Sequence, residues 1–216
     1  MDHPALQSPD KHYVTAAQGW LDLGDTQEAE NELNQVGYWC RMHPEVMMVR
    51  WKVVARMKAW DRSLDVARTM IRTSPDRPSG WVCLAYSLCH LDRNEEAKAE
   101  LIKAHEKFPK VSAVPYFLAR LSVKLSQMEE ASVWLSKWNE IVESDDQRKS
   151  ARRDPKLKAL WAYLGEDVKD TQDKPESDLE IESEARSSSK DSDKAIPAVK
   201  SDSESTSKDA TDKKRE

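Results

Sequence analysis

The sequence predicts an all-α protein, a stack of four helical hairpins closed by one further helix. Three observations predict it. Four segments share one register with a spacing of 34 residues, starting at Asp10, Pro44, Pro78 and Ser112. Within each half-unit, apolar residues recur at helical spacing. Between the half-units lie helix breakers and polar residues. One such hairpin cannot bury its own apolar face, but stacked neighbours can, and about three or more are needed for a stable array.

The third unit, Pro78 to Val111, shows the pattern most completely, with Trp81, Leu84-Ala85, Leu88, Ala97, Leu101, Ala104 and Pro109. Counted from the start of the unit, these are positions 4, 7–8, 11, 20, 24, 27 and 32. The other units follow with substitutions. Position 8 is Ala17, Trp51, Ala85 and Ala119; position 20 is Ala29, Ser63, Ala97 and Ala131; position 24 is Leu33, Ala67, Leu101 and Leu135. Position 4 varies most: Tyr13, Met47, Trp81 and Pro115. Small residues at positions 8 and 20 let the two helices of a hairpin approach closely. Trp51 breaks that rule beside the small Ser63 and Ala67, so volume is expected to be conserved within the second unit.

A 34-residue helix–turn–helix unit with this spacing resembles the tetratricopeptide repeat (TPR). The resemblance covers roughly residues 10–145. It implies a right-handed α-solenoid of four hairpins, at 10–43, 44–77, 78–111 and 112–145, with a C-terminal capping region at 146–165. Within the cap, residues 155–164 read as one amphipathic helix with Leu157, Leu160, Trp161 and Leu164 on one face. The run Asp154-Pro155-x-Leu157-x-x-Leu160-Trp161 resembles the closing helix of some bacterial TPR proteins.

Local signals mark the ends of the helices. Ser126-Gln127-Met128-Glu129 matches a capping box. Asp25, Asp61 and Asp92 are candidate caps for the second helices of their hairpins. Pro75 and Pro109 terminate helices. Pro78 suits a first turn, where no amide donor is needed, and Ser112 as a cap would place Pro115 there as well.

Composition divides the chain into a short flexible N-terminus (1–9), the repeat domain (10–165) and a tail (166–216). All eight Trp lie before residue 166. The tail has no aromatic residue, ten Ser, 16 acidic and 10 basic groups. It cannot bury enough apolar area to offset its ordering entropy, so it reads as disordered. Its net charge of −6 leaves the repeat region near +1 of the chain's −5.

Little in the sequence points to chemistry. The five Gly form no phosphate-cradling loop. The five His have no metal-ligand spacing. Glu95-Glu96 and Glu129-Glu130 sit in first turns, where they complement the helix dipole. Cys40, Cys83 and Cys89 show no CxxC spacing and read as small packing residues in a reduced cytoplasm. Neither a signal peptide nor a membrane span is visible. The expectation is a non-enzymatic protein with no cofactor, no metal and no membrane partner.

The resemblance implies that positions 2, 5, 9, 12 and 13 of each unit line a concave groove. Among these, Met48, Lys52, Arg56, Tyr86, His90, Tyr116, Arg120 and Lys124 would make a peptide-binding surface, a basic stripe beside apolar side chains. Such a surface suits a protein or peptide with acidic and apolar side chains. The Lys/Asn clamp of chaperone-binding TPR domains is not matched, since Gln18 and Val49 stand at its Asn positions. An RNA-binding helical repeat is the alternative, but it needs base-stacking aromatics on a strongly basic face, and a repeat region near neutrality argues against it. The tail segment Asp178-Leu179-Glu180-Ile181-Glu182 has the composition the groove favours and is expected to visit it transiently.

Overall fold

The structure is a computed structural model and describes residues 5–165. The tail expected to be disordered, with its segment 178–182, lies outside the described residues. Helices α1 (Asp10–Asp22) and α2 (Thr26–Gln35) form the first hairpin, α3 (Pro44–Arg56) and α4 (Trp60–Thr73) the second. Helices α5 (Ser79–His90) and α6 (Asn94–Lys107) form the third, α7 (Ala113–Lys124) and α8 (Met128–Ile141) the fourth. Helices α9 (Asp145–Arg153) and α10 (Lys158–Tyr163) close the stack. No strand occurs among the described residues, and the hairpins stack as a right-handed solenoid.

The turn inside every hairpin is the same. Gly24, Lys58, Asp92 and Ser126, one repeat apart, all adopt the left-handed conformation, with φ of 86°, 57°, 58° and 60°. Around each, two bonds close a Schellman motif: Gly24 N donates to Leu21 O and Asp25 N to Trp20 O, and the other three repeats copy the pair. Gly24 adopts this geometry without a steric penalty; the three other residues do not. Lys58→Gly is therefore expected to stabilise the protein by about 1 kcal/mol, because Lys58 is exposed and the change touches no packing. A urea midpoint at or below that of the parent chain would contradict it.

That turn also decides the caps. The residue after the left-handed one precedes the second helix: Asp25, Ala59, Arg93 and Gln127. Asp25 does cap, accepting from the amides of Gln27 (3.1 Å) and Glu28 (3.0 Å). The other capping expectations are corrected. Asp61 lies inside the first turn of α4, Asp92 is the left-handed residue itself, and Ser126, likewise left-handed, forms no capping box. Ser112 precedes α7 without a side-chain cap bond.

Helix α2 ends at Gln35, four residues before the register of the other second helices, and a 3-10 turn, Tyr38–Cys40, follows. Asp10 holds this turn by accepting from Gly37 N at 2.7 Å. That bond, with another from the Cys40 thiol, keeps the Asp10 carboxyl below the usual carboxylate range. The turn leaves Trp39 92% exposed.

Helix α3 shows how the stack holds together. Val46, Val49 and Val53 pack into the core of the first repeat, together with Leu6 from the N-terminal stretch. Met47, Met48, Trp51 and Ala55 pack the other way, into the core that runs through to the closing helices. Trp51, Ser63 and Ala67 are all fully buried, and the Trp51 indole has a polar partner. Its indole N–H donates to Ser87 Oγ at 3.1 Å; Ser63 Oγ lies 2.8 Å from the same oxygen, which itself donates to Cys83 O at 2.9 Å. All three buried groups are thereby satisfied. Between α4 and α5 the backbones meet at Gly80, where a Cβ would come within 3.1 Å of Ile71 N.

The closing segment differs from the single helix expected over 155–164. Residues 145–153 are helical, and Pro155–Leu157 forms a 3-10 turn before the short α10. Pro155 cannot continue a helix from α9, so the chain restarts there, with Asp154 accepting from Lys156 N at 2.9 Å. Leu157, Leu160 and Trp161 are buried in one cluster with Leu135 and Trp138. Leu164 is not: the helix ends at Tyr163, Gly165 turns the chain, and Leu164 stays 44% exposed.

Candidate peptide-binding groove

Among the first helices, α1 packs on α3 and α5 on α7. The first helices are the expected inner face. There the heptad-like spacing sorts the groove positions by depth. Position 5 is buried throughout, as Val14, Met48, Val82 and Tyr116. Position 13, one turn beyond position 9, is exposed throughout, as Asp22, Arg56, His90 and Lys124.

The eight residues expected to form the binding surface divide accordingly. Met48, Tyr86, Tyr116 and Arg120 are buried, at 3%, 8%, 8% and 7% exposure. Lys52 is half-buried, and Arg56, His90 and Lys124 are exposed. Among the described residues, neither Lys52 nor Arg56 has a hydrogen-bond or ion-pair partner. His90 stacks flat on Trp60, with ring centroids 3.9 Å apart and planes 6° from parallel. Tyr86 lies beneath them, edge-on to Trp51 at 5.5 Å and to Phe117 at 6.1 Å. This aromatic bed is partly open at its His90–Trp60 edge.

The fourth repeat is occupied from within. Asp154, at the entrance to the closing segment, places Oδ2 2.7 Å from the Tyr116 hydroxyl, which donates to it, and 3.2 Å from Arg120 Nε. The Arg120 guanidinium lies over Phe117 and Tyr116, at 5.4 and 5.9 Å from their centroids. Arg120 and Asp154 are 34 residues apart, so the closing segment continues the register and seats a carboxylate where the sequence pattern leaves a receptor. Lys124 is turned toward the third repeat, donating to Cys89 O at 3.1 Å and Asn94 Oδ1 at 2.9 Å. Burial pushes the Cys89 thiol up, against the opposing pull of Lys124, Lys156 and Arg120.

Of the expected groove residues, Lys52, Arg56, His90 and Lys124 reach the surface, and Lys124 is engaged with the third repeat. Sequence reasoning misses Trp60 and Asp154. Trp60 opens a second helix and carries no groove signal; Asp154 reads only as part of the closing motif, although a carboxylate one repeat after Arg120 is the available hint. No cluster of three or more His, Cys, Asp and Glu able to hold a metal occurs among the described residues, and no helix there is long and apolar enough to cross a membrane.

A comparison with protein-family models finds no match, and neither does one with curated protein sequences. Solved structures do match. TTC0263, a thermophilic TPR protein in Thermus thermophilus, aligns with a TM-score of 0.60 at 14% identity, over 72% of this chain and 83% of its own. The MamA RS-1 ArsTM double mutant gives 0.55 at 17% identity, over 88% and 100%. A further MamA structure gives 0.54 at 11% identity, over 88% and 98%. Likeness at such low identity rests on shape, and the shape is one: this chain has the tetratricopeptide-repeat fold.

Proposed function

We propose that the protein is an interaction module that binds a peptide or protein segment on the inner face of its first three repeats, and that the segment carries acidic and apolar side chains. The observation that carries this reading is the pair Lys52 and Arg56. Both lie on α3, at positions assigned to the inner face, without internal partners among the described residues, and the His90–Trp60 stack belongs to the neighbouring α5 and α4. An acidic side chain would find its counter-charges there, and an apolar one would lie on the aromatic bed. Tyr116 and Arg120 belong to the floor that Asp154 already covers, so the site ends at the third repeat and Lys124 marks its edge. A scaffold or adaptor role in a reducing compartment such as the cytoplasm fits the three unpaired cysteines.

The test is selection from a random peptide library on the intact chain. Selected peptides should pair Asp or Glu with Leu or Ile. The charge reversals Lys52→Glu and Arg56→Glu should together weaken a selected peptide about tenfold or more, since close charge pairs across an interface couple by more than about 1.4 kcal/mol. Their far-UV circular dichroism should not change, because both side chains lie outside the core. Selection of uncharged peptides, or unchanged affinity in the reversal variant, would overturn the reading. Salt-sensitive retention of RNA, with no peptide selected, would replace it with a nucleic-acid reading.

A further inference from the structure

A second surface lies away from the inner face. A groove of about 560 Å³ runs between α8 and the closing helices, with Leu135, Trp138 and Trp161 as its floor and Arg148, Lys149, Arg152 and Asp145 along its rim. Leu164 forms part of its wall, so the chain leaves the described structure at the groove itself. We propose that this groove receives the chain's own segment Asp178-Leu179-Glu180-Ile181-Glu182.

Charge, chemistry and reach support that occupant. The charged residues that line the groove are three basic, Arg148, Lys149 and Arg152, and one acidic, Asp145; Arg148 pairs with Asp145 at 3.1 Å and Lys149 with Asp146 at 3.3 Å, both solvent-exposed contacts open to exchange. Residues 166–184 carry nine acidic and two basic groups, the most acidic stretch of the tail. In an extended conformation Leu179 and Ile181 would point to one side, with the three carboxylates projecting between and around them. Two apolar anchors then meet an apolar floor while the acidic groups meet a basic rim. Leu179 lies fourteen residues beyond Gly165. A random coil of that length would span roughly 20 Å, and the tether would hold the segment near the groove at an effective concentration of about a millimolar. The inner face is the poorer host for the tail, because its fourth-repeat end is filled by Asp154. This inference concerns a different face from the proposed peptide site, and its failure would leave that reading untouched.

The experiment is zero-length carbodiimide cross-linking of the intact chain at low salt, read by peptide mapping. The expected products join Lys149 to Asp178, Glu180 or Glu182 within one molecule. In the double variant L179S/I181S their yield should fall about tenfold, as removal of two apolar anchors requires. Raising the salt to about 1 M, where the Debye length is about 3 Å, should also reduce it. Cross-links to Lys52 in preference to Lys149, an even spread over exposed lysines, or a yield indifferent to L179S/I181S would each overturn the proposal. So would cross-links between molecules that grow with concentration, which would assign the groove to a second copy of the chain.

Discussion

Asp154→Ala is expected to destabilise the protein by about 3–5 kcal/mol, the cost of removing one partner of a buried ion pair. The side chains of Arg120 and Asp154 are only 6% and 11% exposed, so solvent screens them weakly. The carboxylate is shared: Arg120 Nε and the Tyr116 hydroxyl both lie against Oδ2, and Oδ1 accepts from Lys156 N. Alanine would strand a guanidinium over two aromatic rings and leave the entrance to the closing segment without its cap. The double variant Arg120→Met with Asp154→Leu should recover most of that loss, because a well-packed apolar pair often replaces a buried ion pair without penalty. Urea midpoints of the parent, both single variants and the double variant check this. A loss below about 1 kcal/mol for Asp154→Ala would show the pair behaving as an exposed one and would detach the closing segment from the fourth repeat.

Trp51→Ala is expected to cost about 3–5 kcal/mol or more, as large truncations in a core do. The site has two components that a second variant separates. Trp51→Phe keeps most of the ring volume and removes the indole donor, leaving Ser87 Oγ with one fewer partner in a fully buried position. Its cost should be about 1–2 kcal/mol, the scale of one buried hydrogen bond. Trp39→Ala makes the control, since a side chain 92% exposed should change stability by no more than about 0.5 kcal/mol. Equal losses for Trp51→Ala and Trp39→Ala in thermal unfolding would contradict the packing described for α3.

Much of the fold is legible in the sequence because it is written in a repeating local code. The ends of α1, α3, α5 and α7 fall at residues 22, 56, 90 and 124, one period apart, and the small residues at positions 8 and 20 sit at complete burial. What escapes is decided by geometry that side-chain type does not report. Gly24 announces a left-handed turn, whereas Lys58, Asp92 and Ser126 adopt it because the two Schellman bonds around each fix the backbone there, and this shifts every cap after the first hairpin away from the residue the sequence suggests. The shortening of α2 depends on Asp10 reaching Gly37 across 27 residues. At the candidate site, the basic stripe is legible as residue types in register. That Arg120 belongs to the interior, with Asp154 as its counter-charge, requires knowing how the closing segment docks.

The same docking sets the limits of the proposed binding face, and a single measurement tests both. Amide chemical shifts of the intact chain would be followed while a library-selected acidic peptide is added. Perturbations are expected on α3 and α5, centred on Lys52, Arg56 and His90, with the Tyr116 and Arg120 signals unmoved because Asp154 keeps its place. Shifts centred on α2, α4 and α6, or displacement of Asp154 seen as concerted movement of the Tyr116 and Arg120 signals, would contradict this.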